Sequence, residues 1–102
     1  MEIFLLGERF SAADALALGM VNKVVPATEL AAAVETIAHA LAAGPVVALR
    51  NTKRLVREST TRTLSEQLQA EARSFGECAG TGDFVEGIAA FLAKRPPNFG
   101  RG

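Results

Sequence analysis

The side chains able to do chemistry are few and scattered along the 102 residues. Nucleophilic catalysis of the serine–histidine–acid kind needs an imidazole held by a carboxylate. The single histidine, His39, falls on the polar side of an apolar-periodic stretch from Leu30 to Leu41 and reads as a surface residue. A metal site needs several convergent ligands, and one His and one Cys on different predicted helices do not make one, so no metal is expected. Cys78, the single cysteine, excludes an intramolecular disulfide and reads as a small apolar side chain near a helix end. No glycine-rich phosphate loop is present; the nine glycines stand mainly at breaks.

One cluster of like charge stands out. Arg50, Lys53, Arg54 and Arg57 follow an i, i+3, i+4, i+7 spacing, which puts four cations on one side of a helix. Two readings of that stripe stay open: a solvated face balanced by Glu58, Glu66 and Glu71, or a surface for a ligand that carries several phosphates. Nucleic acid is not the expected partner, because eleven basic and eleven acidic residues cancel and leave no net field for a polyanion. Ala15, Gly19 and Val25 imitate the spacing of a helix-turn-helix, but Pro26 and the β-branched run before it oppose a recognition helix there.

The elements that would carry these residues are helices. Of the 49% hydrophobic residues, 19 are alanine and none is Trp or Tyr, which suits short close-packed helices better than sheets. Met1 to Leu6, closed by Gly7, predicts the last turn of a helix. Ser11 with Asp14 forms a capping-box pattern for a short helix that ends at Gly19. Val21 to Val25 predicts one short extended segment stopped by Pro26.

Four helices follow from about Thr28 to about Lys94. Leu30, Val34, Ile37 and Leu41 mark the first, and Gly44-Pro45 separates it from the second, whose apolar face includes Val46, Leu49 and Val56. Thr63 with Glu66 predicts the cap of the third, with Leu64, Leu68, Ala72, Phe75 and Ala79 as its apolar stripe. Asp83 with Glu86 predicts the cap of the last, which Pro96-Pro97 stops. No signal-peptide pattern and no apolar run of about 18 residues occurs, so a cytoplasmic chain with no membrane partner is expected.

The segment from Arg9 to Pro26 contains an Ala15-Leu16 pair, Gly19-Met20-Val21-Asn22 and Val24-Val25-Pro26 in that order. Gly44-Pro45 with Ala48, Leu49, Arg50 and Lys53 forms a second block. Asp83, Glu86, Gly87, Ala90, Phe91, Lys94, Arg95, Pro97 and Phe99 form a third. In this combination the chain resembles the C-terminal part of the enoyl-CoA hydratase/isomerase (crotonase) family over nearly its whole length. The resemblance implies an all-α unit, a single C-terminal helical domain over 1–102, with 1–26 ending the crotonase core and connecting it to a lid and oligomerisation region over 27–102.

It also implies that the oxyanion donors and proton-transfer acids lie upstream, so no catalytic residue is assigned here and the chain alone is expected to be inactive. The intact relative would act on 2-enoyl-CoA thioesters in fatty-acid or related acyl-CoA metabolism. Coenzyme A would be part of the substrate, and no separate cofactor is implied. The expected assembly is a homo-oligomer, a trimer or dimer of trimers. By the same resemblance Phe75 and Lys94 would contact CoA, although Phe75 equally continues a core stripe and Lys94 equally complements a helix dipole. Gly87 fits the close approach of another backbone. A free-standing helical self-association module without enzymatic activity is the alternative.

Overall fold

A computed structural model describes residues 5–100. All regular structure among them is helical: α1 (Ala12–Ala17), a 3-10 turn (Ala27–Glu29), α2 (Leu30–Ala42), α3 (Val46–Glu58), a second 3-10 turn (Ser59–Thr61), α4 (Leu64–Ala79) and α5 (Gly82–Leu92). Leu5 and Leu6 are helical and Gly7 follows in the left-handed region at φ +64°; the part of that prediction on Met1 to Phe4 lies outside the described residues. The run Val21 to Val25 is outside any helix and pairs with no strand among the described residues. With no second strand in reach, its β-branched residues have no ladder to join. The chain divides between Glu35 and Thr36, inside α2, into two units.

In the first unit, α1 is held at both ends by local chemistry. The Ser11 hydroxyl accepts from the Asp14 N–H at 3.1 Å, and the Asp14 carboxylate accepts in return from the Ser11 N–H at 2.9 Å. These bonds hold the Asp14 carboxyl below its usual range and satisfy donors that a helix start otherwise leaves bare. At the other end Gly19 adopts φ +71°, with its N–H on the Leu16 carbonyl and the Met20 N–H on the Ala15 carbonyl. This is the paired 6→1 and 5→2 bonding of a Schellman turn, and Ala15 is the buried residue beneath it.

In the second unit, α4 packs against α3 and against α5. Thr63 and Glu66 form the expected capping box, with the Thr63 N–H on the Glu66 carboxylate at 2.8 Å. The cap of α5 differs from the expectation. Thr81, not Asp83, is the N-cap: its hydroxyl accepts from the Phe84 N–H at 3.2 Å and donates to the Cys78 carbonyl at 2.7 Å. A threonine one residue after the Gly80 break reaches both helix ends at once, which leaves Asp83 in the first turn, buried.

The internal face of α4 is also not the one that hydropathy marks. The residues it buries are Ala70 and Ser74, whereas Leu64, Leu68 and Phe75 are exposed, Phe75 at 64%. Small side chains let α3 and α5 approach α4 closely, and the large apolar stripe is left facing away. The same holds elsewhere: α2 buries nothing, and Leu30, Val34, Ile37, Leu41, Val46 and Val56 are all exposed. The buried apolar residues are Ala15, Ala70 and Ala90, and no large side chain is fully buried among the described residues. Among those residues no single helix is long and apolar enough to cross a membrane.

Candidate functional site

The helix α5 and the tail after it gather most of the family-like third block into one local structure. α5 ends at Leu92, and Lys94 turns back at φ +52°, the one non-glycine with positive φ among the described residues. The Lys94 N–H bonds the Phe91 carbonyl at 3.2 Å and the Arg95 N–H bonds the Ala90 carbonyl at 3.1 Å. This is the same Schellman turn as at Gly19, with a lysine at the position glycine usually takes. Ala90, the residue beneath the turn, is 1% exposed.

The chain then folds back along α5. Arg95 donates two bonds to Glu86, at 2.6 and 2.9 Å, and the Asn98 N–H donates a third at 2.7 Å. The bidentate Arg95 guanidinium first, then the Asn98 N–H, hold the Glu86 carboxyl down to about 2. One turn earlier the Gly100 N–H donates to Asp83 Oδ1 at 3.2 Å. A Cβ on Gly87 would meet the Phe99 ring at 3.6 Å, an ordinary contact. What approaches Gly87 is therefore an aromatic side chain, not the backbone that the sequence suggested, and a methyl group has room there.

Beside this fold-back lies an apolar groove of about 350 Å³, lined by Pro45, Ala48, Phe84, Ile88, Phe91 and Phe99 among others. Cys78 and Asp83 are the polar-capable residues at its wall together with Thr81. Asp83 is 7% exposed, and its Oδ2 has no hydrogen-bond partner among the described residues. A buried acceptor left bare is costly, so this wall is the more notable for holding one. Phe75 stands edge-on to Phe84, with ring centroids 5.8 Å apart and planes at 88°. Phe75 thus sits next to a groove-lining ring while most of its own surface stays exposed; Lys94 is exposed at the turn.

A third feature was not visible in the sequence. Asn51 on α3 is 2% exposed and donates to Glu77 on α4 at 2.8 Å, while Arg54 reaches both Glu77 and Asn51 at 3.5 Å. Of the four cations in the basic stripe, Arg54 is the one in an ion pair among the described residues. The other carboxylates with partners serve structure as well: Glu58 pairs with Arg62, and Glu66 caps α4. No group of three or more metal-ligating side chains converges among the described residues. Asn51 lacked any signal of its own, since polarity at one helix position looks like surface until its partner on another helix is known.

Comparison with known proteins gives the setting for these features. The family model described as enoyl-CoA hydratase/isomerase matches residues 1–102. The chain is 39% identical over 100 residues to the 1,2-epoxyphenylacetyl-CoA isomerase of Escherichia coli K12, covering 97% of this chain and 38% of that one. It is 37% identical over 89 residues to the crotonyl-CoA hydratase of Syntrophomonas wolfei, covering 87% and 34%. A solved enoyl-CoA hydratase from Polaromonas sp. JS666 superposes with a TM-score of 0.89 at 38% identity, over 97% of this chain and 39% of that chain. The chain therefore spans well under half the length of the relatives it matches.

Proposed function

The chain belongs to the enoyl-CoA hydratase/isomerase family, and from that premise we propose that it is the C-terminal helical segment that covers the acyl-CoA site of such an enzyme. Residues 1–26 would connect to the core and 27–102 would form the cover. One observation carries this reading. The large apolar side chains of α2 and α4 face outward while the chain packs internally through alanine and serine. Faces of that kind need a cover, and the matched relatives carry more chain than this one. Both curated relatives named above have a CoA thioester in their names. A 2-enoyl-CoA is accordingly the proposed substrate class, and CoA belongs to that substrate.

Lys94 and Phe75 are the residues proposed to meet CoA. A lysine in the left-handed region is disfavoured by about 1–2 kcal/mol relative to the right-handed one, and glycine would relieve this. Strain kept at an exposed cation points to use of that cation. Phe75 offers an exposed ring at the edge of a groove already lined by aromatic residues. The proton-transfer acids and oxyanion donors are assigned to the rest of the enzyme: Asp14 and Glu66 here serve caps, Glu58, Glu77 and Glu86 serve ion pairs, and Asp83 accepts from the returning tail at Gly100.

The test uses this chain alone and grafted in place of the matched segment of the Syntrophomonas crotonyl-CoA hydratase. The free chain should hydrate crotonyl-CoA no faster than buffer, and the graft should be active. In the graft, Lys94→Ala should raise KM about fivefold with kcat nearly unchanged, as expected for a charge at a solvated binding surface. Turnover by the free chain, or a large loss of kcat in Lys94→Ala, would overturn the assignment. The same outward faces support a second reading, self-association of the free chain, which light scattering across a concentration series reads directly.

A further inference from the structure

Lys94 lies at the centre of a small piece of machinery whose other parts have no assigned purpose. On the residue after it, Arg95 makes a fork to Glu86 at 2.6 and 2.9 Å, and four residues on, the Asn98 N–H meets the same carboxylate at 2.7 Å. Pro96 and Pro97 stiffen the span between those two grips. The turn at Gly19 has the same backbone bonding, yet among the described residues no carboxylate grips the residues that follow it. Glycine adopts a positive φ without help, and lysine does not. The added grip is therefore found at the turn that needs holding.

We propose that Glu86 is a positioning residue for Lys94: by fixing Arg95 and Asn98, its carboxylate keeps Lys94 in the left-handed turn and sets where the ammonium is presented to an acyl-CoA. The proposal rests on the reading of Lys94 as a CoA contact and adds the residue that makes the contact possible. Glu86 itself touches no substrate in this account. It lies about two turns back on α5, facing the tail, and acts only through the turn. A bidentate guanidinium–carboxylate pair is suited to this, because its two parallel bonds fix orientation as well as distance. Stability alone would be served as well by glycine at position 94 with no latch, which is the arrangement at the end of α1.

The experiment is a double-mutant cycle with a conformational readout. In the isotopically labelled full chain, Lys94 should show the strong intraresidue amide–Hα contact of a positive φ. Glu86→Gln should abolish it while leaving the helical circular dichroism intact; Glu86→Ala serves as the second variant. In the graft, Glu86→Gln and Lys94→Ala should each raise KM about fivefold with kcat within about twofold, and the double variant should be no worse than either alone. Persistence of the positive-φ signature in both Glu86 variants overturns the proposal. So does a raised KM in Lys94→Ala with none in Glu86→Gln, or additivity of the two, and in those cases the CoA role of Lys94 survives. An unchanged KM in Lys94→Ala overturns that role first and the proposal with it.

Discussion

Two helices of this chain end in the same way and differ in what holds the ending. α1 and α5 both close with a Schellman turn over a buried alanine, Ala15 in one and Ala90 in the other. At α1 the left-handed residue is Gly19, and among the described residues no carboxylate holds the residues after it. At α5 it is Lys94, and a carboxylate two turns back on the helix holds the following residues with three hydrogen bonds. Identical backbone bonding thus supports a relaxed end and a strained, latched one. The difference lies in the residue at the turn, a glycine in one and a lysine in the other.

Substitution beneath the two turns sharpens the comparison most. Ala90 is 1% exposed and Ala15 9%, so added volume has less space at the latched end. Ala90→Leu should destabilise by about 1–3 kcal/mol through overpacking, and Ala15→Leu by less, read from urea unfolding followed by circular dichroism. Equal losses would mean that the latched end is no tighter than the relaxed one.

Next in size is the glycine itself. A Cβ on Gly19 would meet nothing within 4 Å, so Gly19→Val is penalised by conformation alone, by about 1–2 kcal/mol. The same unfolding measurement reads it. A neutral result would show that the end of α1 adapts its backbone freely, and the contrast with Lys94 would lose its basis.

Acid separates the two ends by a different route. The folded Glu86 carboxyl is held at about 2 against an ordinary 4.5, so its stabilising contribution is complete above 4.5 and is lost as pH falls towards about 2. Asp14 and Glu66 are lowered too, by their capping bonds, so both capping boxes weaken in the same direction. The turn at Gly19 contains no titrating group of this kind. The Asn98 amide resonance should therefore hold its position down to about pH 4 and move below it, on the roughly 2 to 4.5 window of Glu86. Movement of Asn98 between pH 7 and 5 would contradict the assignment of Glu86 as its partner.

Much of this was legible in the residues, and the exceptions share one cause. Both capping boxes, Ser11 with Asp14 and Thr63 with Glu66, are local patterns whose partners sit three residues apart, and both form. The helix boundaries at Gly19 and Gly44-Pro45 were likewise written in short-range chemistry, whereas α5 already ends at Leu92, ahead of the Pro96 stop that the sequence marked. What the sequence obscured was direction. Leu64, Leu68 and Phe75 form a periodic stripe, which normally marks the inside, yet the inside of α4 is Ala70 and Ser74. Periodicity marks an apolar face but not whether the chain turns it inward, so an outward stripe looks like a core. Asn51 and Asp83 were hidden for the converse reason, since their burial depends on Glu77 and on the returning tail. The left-handed Lys94 was out of reach altogether, because no residue type announces a conformation it disfavours.

The most direct test of the account is Lys94→Gly, measured for stability and for KM in the same graft. Glycine removes the left-handed strain, partly offset by its freer unfolded chain, so the melting temperature should rise by an amount equivalent to about 1 kcal/mol or less. KM for crotonyl-CoA should rise about fivefold at the same time, with kcat nearly unchanged. That pairing of gained stability with lost affinity is what a turn strained for the sake of its side chain predicts. A lower melting temperature, or a KM equal to that of the unsubstituted graft, would contradict it.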